Sequence, residues 1–445
     1  MHPEGSAGDR RQGNRRPVTA DPADEALLEQ LQHGAFEYFL RAYNPHNGMV
    51  ADTTREDAPS SIAVIGFALS VYPVGVEREW MERADAVQRT LVTLRFLMGS
   101  DQSGSARATG YRGLYFHFLD MASGTRAWRS EVSLIDTGFL IAGMLTAAAY
   151  FDADRPDEIE LRRLAYALYR RVDWFWAQPG GGAVTHGWKP ECGFLNYGWE
   201  GYSEAILLYI LGLGSPTHAL TDQSFTAWTA TYQWENLYGY DFLYAGPLFI
   251  HQFSHAWIDF RGIRDTFMRE KKCDYFENSR RATYVQREYA IRNPGSFTGY
   301  DADRWGISAG DGPSAKRRSI AGRDQSFYGY AARGVPYGPD DGTTCGSSIV
   351  SSLVFAPELV LPVLRALWSR SSGGDARLIR ASGFNPTVTE AGPNGWISKG
   401  EFGLDQGMIV LMVENYRSGL PWRLGRANPF LRAGLRRAGF KGGWL

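Results

Sequence analysis

Three stretches of this chain are apolar on every side of a helix: TGFLIAGMLTAAAY (residues 137–150), AILLYILGL (205–213) and GMIVLMV (407–413). A helix without a polar face must be buried. Other stretches, 77–98 and 157–176 among them, alternate an apolar face with one rich in Arg and Glu and predict helices that cover something. Together with 24–43, 60–71, 132–151, 200–213, 247–261, 265–292, 347–355, 357–368, 404–417 and 428–437, the pattern predicts about a dozen helices. Buried and amphipathic helices that follow one another predict an inner ring wrapped by an outer ring. The expected fold is therefore all-α, a double-layered α/α barrel in one domain over 25–445. One segment has a different period: Tyr115 to Leu119, then Asp120, then Thr125 to Trp128, which predicts a short β-hairpin. The stretches 180–199 and 294–346 are rich in Gly, Pro, Asp and aromatics. They predict long loops of the kind that line a binding groove.

Each apolar stretch has an acid at its start. Asp136 precedes the first, Glu204 the second (with Glu200 four residues earlier), and Asp405 the third. Inner helices of such a barrel run in one direction, so these acids should meet at one end. Any single acid there is explained by the helix dipole and the free first-turn N–H groups. Three on separate buried helices are not so easily explained, because a buried carboxylate is costly without a partner. Crowding pushes carboxyl pKa values apart and leaves one protonated beside one ionised. Glycoside hydrolysis needs that combination.

Composition narrows the partners. The net charge is −1, which gives no basic footprint for nucleic acid. No apolar run is long enough to span a bilayer. The 3 Cys, Cys192, Cys273 and Cys345, lie far apart and predict neither a disulfide framework nor a zinc site. Residues 1–24 read as a disordered lead-in without the apolar core of an export signal. The expected compartment is cytoplasmic, with the periplasm the alternative for a trimmed signal. Aromatics reach 14%, with 14 Trp and 23 Tyr. They suit either a sugar-stacking groove or a large core. His251 and His255 stand four apart, but Gln252 occupies the place of a metalloprotease Glu. They predict hydrogen bonding rather than a metal, and no cofactor is expected.

Six stretches resemble the bacterial glycoamylase-like domain, and within it the endo-β-1,2-glucanases of glycoside hydrolase family 144. They are GLYFHFLDMASGTRAWRSEVSLIDTGFLIAG (113–143), GWEGYSEAILLYILGLGSPTH (198–218), GPLFIHQFSHAWIDFRGIRD (246–265), RWGISAGDGP (304–313), YGPDDGTTCGSSIVSSLVFAPE (337–358) and FGLDQGMIVLMVENYRSGLPW (402–422). The resemblance implies an (α/α)6 barrel, an inverting endo-hydrolase of β-1,2-glucan, and no metal or organic cofactor. Its acids fall on Asp136, Glu204 and Asp405. Glu204 or Asp136 is the expected general acid, and Asp405 assists water or holds substrate. Expected sugar contacts are Trp199, Glu200, Tyr202, His251, His255, Trp257, Trp305, Asp311, Asp341 and Trp396. The alternatives are an exo-acting or transglycosylating enzyme, and a non-catalytic glucan-binding protein. A cyclase of the same barrel class would want an Asp-rich D-x-D-D motif, whereas Asp301-Ala302-Asp303 is followed by Arg304.

Overall fold

The computed structural model describes residues 21–320, 322–370, 376–391 and 395–445. The expected lead-in lies outside the described residues up to position 20. From there the chain is already folded. Asp21 caps the helix Pro22–Arg41, accepting from the Ala23 N–H, and Asp24 is buried against Arg365.

The inner ring has six stations. Helices Ile62–Glu77, Leu134–Tyr150 and Ile206–Gly214 follow in order and pack side by side. The fourth station is a pair of 3-10 turns, Leu248–His251 and Phe253–Ala256. Gly346–Ser351 and Gly403–Arg417 complete the ring, and the last packs back on Ile62–Glu77. All nine residues of Ile206–Gly214 are buried, as a helix with no polar face requires. The outer layer consists of Pro22–Arg41, Arg83–Gly99, Pro156–Arg171, Tyr275–Arg292 and Pro357–Arg370. Beside Ile206–Gly214 the local chain supplies only the short helix Ser224–Thr229. The C-terminal helix Pro429–Arg437 packs there instead. The fold is an (α/α)6 barrel.

The fourth station was expected to be a continuous helix over 247–261. It is irregular because its polar side chains serve neighbouring backbone instead. Ser254 Oγ donates to the Glu204 carbonyl at 2.9 Å, and Gln252 Nε2 donates to the Ser348 carbonyl at 2.7 Å. Such bonds compete with helical ones. They also join the third and fifth stations across the gap.

Two inner helices approach to backbone contact. A Cβ on Gly143 would lie 2.0 Å from the Gly66 carbonyl oxygen, and one on Gly66 would lie 2.3 Å from that of Phe139. Glycine is required at this crossing.

The expected hairpin is part of something larger. Leu114–Phe116 lies in a five-stranded antiparallel sheet with Gly110–Tyr111, Val132–Ser133, Gly187–Lys189 and Gly193–Phe194. Phe118–Leu119 pairs instead with Ser60–Ser61. The hairpin's return side meets it through Ala127 N–H to the Phe118 carbonyl, 2.8 Å. These strands run directly into the inner helices Ile62–Glu77 and Leu134–Tyr150, so the small sheets sit at the N-terminal end of the barrel. The stretch 294–346 crosses the same end. It is fastened by a fully buried ion pair, Arg333 to Asp341 at 2.7 and 2.9 Å. Among the described residues no helix is long and apolar enough to cross a membrane.

Gly143→Ala is expected to lower stability by about 1–3 kcal/mol or more, because the added methyl forces two helix backbones apart. The unfolding midpoint in guanidinium chloride measures it.

Candidate active site

The three acids do meet. Asp136, Glu204 and Asp405 line one pocket of about 290 Å³ at the N-terminal end of the inner ring. Asp136 and Asp405 hold the same place in their helices, the third residue after the caps Ser133 and Phe402. Ser133 Oγ accepts from the Asp136 N–H and donates to its carboxylate, so the cap also fixes the side chain. Asp405 accepts from Ser347 Oγ at 2.6 Å, a hydroxyl supplied by the neighbouring inner helix. Glu204 lies two residues before Ile206–Gly214, in the turn that starts it. Among the described residues no cation lies within ion-pair range of Glu204.

Burial and mutual repulsion set the proton affinities. Glu204 and Asp405 both line the pocket and are half-buried. Desolvation pushes Glu204 up to about 7, with the Asp136 charge adding to the rise. Desolvation likewise pushes Asp405 up to about 6, against the hydrogen bonds from Ser347 and Ser382. The pocket thus places a carboxyl that keeps its proton near neutrality beside Asp405, which releases its own at lower pH.

Three groups missed by sequence reasoning complete the site. His117 follows the strand Leu114–Phe116 and faces the pocket. Its Nδ1 is 3.0 Å from Glu131 Oε1 and its Nε2 3.5 Å from Asp136 Oδ2. Burial pulls the imidazole down, but Asp136, Glu131 and Asp52 outweigh it and hold it up at about 9. At neutral pH an imidazolium therefore stands between Glu131 and Asp136. Asp52 is pushed up to about 6, by burial first, and its carbonyl accepts the Gly403 N–H at 2.8 Å, which ties its loop to the start of the Asp405 helix. Tyr330, from the stretch 294–346, lies over the pocket with its ring against Phe402. A lone His within an aromatic run was the only visible signal for His117.

Most of the expected sugar contacts lie elsewhere. His251 and His255 are buried in the core: His251 meets the Ala245 carbonyl at 3.2 Å, and His255 meets Ser279 Oγ at 3.0 Å. Burial drives them down to about 4 and about 3, so both are neutral imidazoles. Trp257 donates to Ser70 Oγ at 2.9 Å from beneath Phe67 and Phe139. Trp305 is 0% exposed, and Asp341 is spent on Arg333. None of these five can present a face to a sugar. The expected helix over 200–213 starts only at Ile206, which leaves Glu200 exposed in a loop. Glu200 and Tyr202 line a separate depression, and Trp199 stacks on His186 at 4.0 Å. Trp396 is half-buried behind Gly383. Asp311 is nearer: it pairs with Arg55, accepts from Ser398 Oγ at 2.7 Å, and its charge acts on Asp405. Among the described residues no group of three or more His, Cys, Asp or Glu side chains is placed to hold a metal ion.

The family model "Glycoamylase: Putative glucoamylase" matches residues 196–429, just over half of the chain. An exo β-1,2-glucooligosaccharide sophorohydrolase (non-reducing end) of Parabacteroides distasonis is 25% identical over 94% of this chain, and the chain spans 58% of that relative's length. Among solved structures, a Bacteroides uniformis protein described as a "putative glucoamylase" superposes with TM-score 0.83 at 27% identity. The match covers 96% of this chain and 99% of that one. An endo-β-1,2-glucanase of Chitinophaga pinensis, solved with sophorotriose and glucose, gives TM-score 0.79 at 25% identity, with 95% and 99% coverage.

A reaction that uses Glu204 as acid and Asp405 as base should show a bell-shaped pH profile in kcat/KM. Activity rises as Asp405 ionises through about 6 and falls as Glu204 loses its proton through about 7. The two limbs belong to the coupled set of acids. Asp405→Asn is expected to remove the acidic limb from the residual activity, as pH–rate measurement on the variant would show.

Proposed function

Because the chain belongs to the glycoamylase family, we propose that it is a glycoside hydrolase acting on β-1,2-linked glucan. The observation that carries this reading is the meeting of Asp136, Glu204 and Asp405 in one pocket, with Glu204 holding its proton to about 7. In the proposed mechanism Glu204 protonates the leaving glycosidic oxygen. Asp405, steadied by the Ser347 hydroxyl, assists the attacking water. Asp136 holds a sugar hydroxyl while His117, itself fixed by Glu131, keeps that carboxylate in place. One acid and one water-assisting carboxylate constitute the inverting pair.

We take the enzyme to be endo-acting. The acid pocket does not close at its rim: it shares His117, Tyr330, Phe402 and Leu404 with a second depression that extends outward. This gives the chain room to extend outward on that side of the pocket. The exo reading has one observation in its favour, the name of the P. distasonis relative. The two readings differ in products. Endo-action on linear β-1,2-glucan gives a ladder of oligosaccharides from the first minutes, and exo-action gives one short product throughout.

Glu204→Gln is expected to lower turnover of linear β-1,2-glucan by about 10²–10⁴-fold, and Asp136→Asn by about 10–10²-fold through loss of a charge-assisted hydrogen bond, each with the unfolding midpoint little changed. Near wild-type turnover in either variant would remove that residue from its role. Inactivity of the wild type on β-1,2-, β-1,3- and β-1,4-glucans alike would favour a binding protein.

A further inference from the structure

We propose that a second saccharide-binding track runs outward from the acid pocket over Trp128 and holds the distal part of the glucan chain. The proposal rests on the glucan reading above and adds to it a site that decides chain-length preference.

Three depressions join end to end. The one next to the acid pocket is bordered by Asp52, Arg55, Glu56 and Trp128. It shares Asp57, Ala58 and Trp128 with a third, which continues to Asp120 and Ser123. Trp128 therefore stands on the ridge between the second and third. An aromatic ladder leads to it from the acids: His117 stacks on Phe118 at 3.9 Å and 15°, and Phe118 meets Trp128 at 4.8 Å. Carboxylates and a guanidinium along the track suit the hydroxyl edges of pyranose rings, and an indole face suits their C–H faces.

The conformation of Trp128 supports a ligand role over a folding role. Among the described residues it is the one exposed tryptophan, at 68%, so it contributes little to the core. It also sits in an unfavourable backbone. Ser130 N–H donates to the Ala127 carbonyl at 3.0 Å, and the two central residues, Trp128 and Arg129, have φ of 53° and 52°. That is the turn type which Asn-Gly fills readily and a bulky residue does not. The surroundings impose it. Buried Arg126 donates to the Ser130 carbonyl at 2.6 Å and the Arg129 carbonyl at 2.9 Å. Its guanidinium is held in turn by Glu191 at 2.7 and 2.9 Å. Strain that is clamped in this way tends to mark a functional position.

The test compares the wild type with Trp128→Gly and Trp128→Phe. Two readouts are used: kcat/KM on linear β-1,2-glucan polymer and on its trisaccharide, and retention in gels containing β-1,2-, β-1,3- or β-1,4-glucan. The glycine variant is expected to lose about tenfold in the polymer-to-trisaccharide ratio of kcat/KM and to lose gel retention. Its unfolding midpoint should be at or above that of the wild type, since glycine relieves the positive φ. The phenylalanine variant should recover most of the ratio. An unchanged ratio and unchanged retention in the glycine variant would overturn the track and leave the glucan reading intact. So would an equal loss at every chain length together with a lowered midpoint, which would make Trp128 structural. A wild type that neither cleaves nor is retained by any of the glucans would overturn both.

Discussion

Apolar helices that cannot face water have to stand together, and in this chain they stand with their acidic ends together. This constraint generates the site. Each inner helix is driven into the ring by its own burial, and the Gly66–Gly143 crossing shows how closely two of them pack. Once the ring is closed, Asp136, Glu204 and Asp405 share one small pocket. Their charges cannot all be solvated there. The outcome is a division of protonation: Glu204 raised to about 7, Asp405 and Asp52 raised to about 6, and His117 held as a cation between carboxylates. The structure builds acid–base capacity out of the same burial that stabilises the fold.

The acids were legible in the sequence because an apolar-all-round helix announces both its burial and its starting end. The barrel was legible for the same reason. The fourth station was not, because 247–261 has helical periodicity while its polar side chains bond to the backbone of neighbouring stations. Sequence spacing does not reveal such long-range partners. His117 was missed because its role comes from meeting Glu131 and the helix residue Asp136, 14 and 19 positions further along the chain. The aromatic excess was ambiguous, and the core took part of it: Trp174, Trp228, Trp257 and Trp305 are all fully buried. His251 and His255 belong to the same interior, where burial removes their charge.

The rim divides the labour differently from the barrel. Strands feeding the inner helices place His117 and Phe118, while the stretch 294–346, locked by Arg333 and Asp341, supplies Tyr330 and a wall of small residues. Loops can vary here without disturbing the acids, because the acids are set by helix starts and caps.

Glu204 keeps its proton because burial desolvates its carboxyl, with the Asp136 charge adding to the rise. Isotope-edited infrared titration of the glutamic carboxyl band, with Glu204→Gln as the reference, measures this directly. The carboxyl of Glu204 is expected to be protonated, to titrate near 7 and to shift downward in Asp136→Asn. A Glu204 that titrates in the ordinary carboxylate range, with or without Asp136, would contradict this expectation.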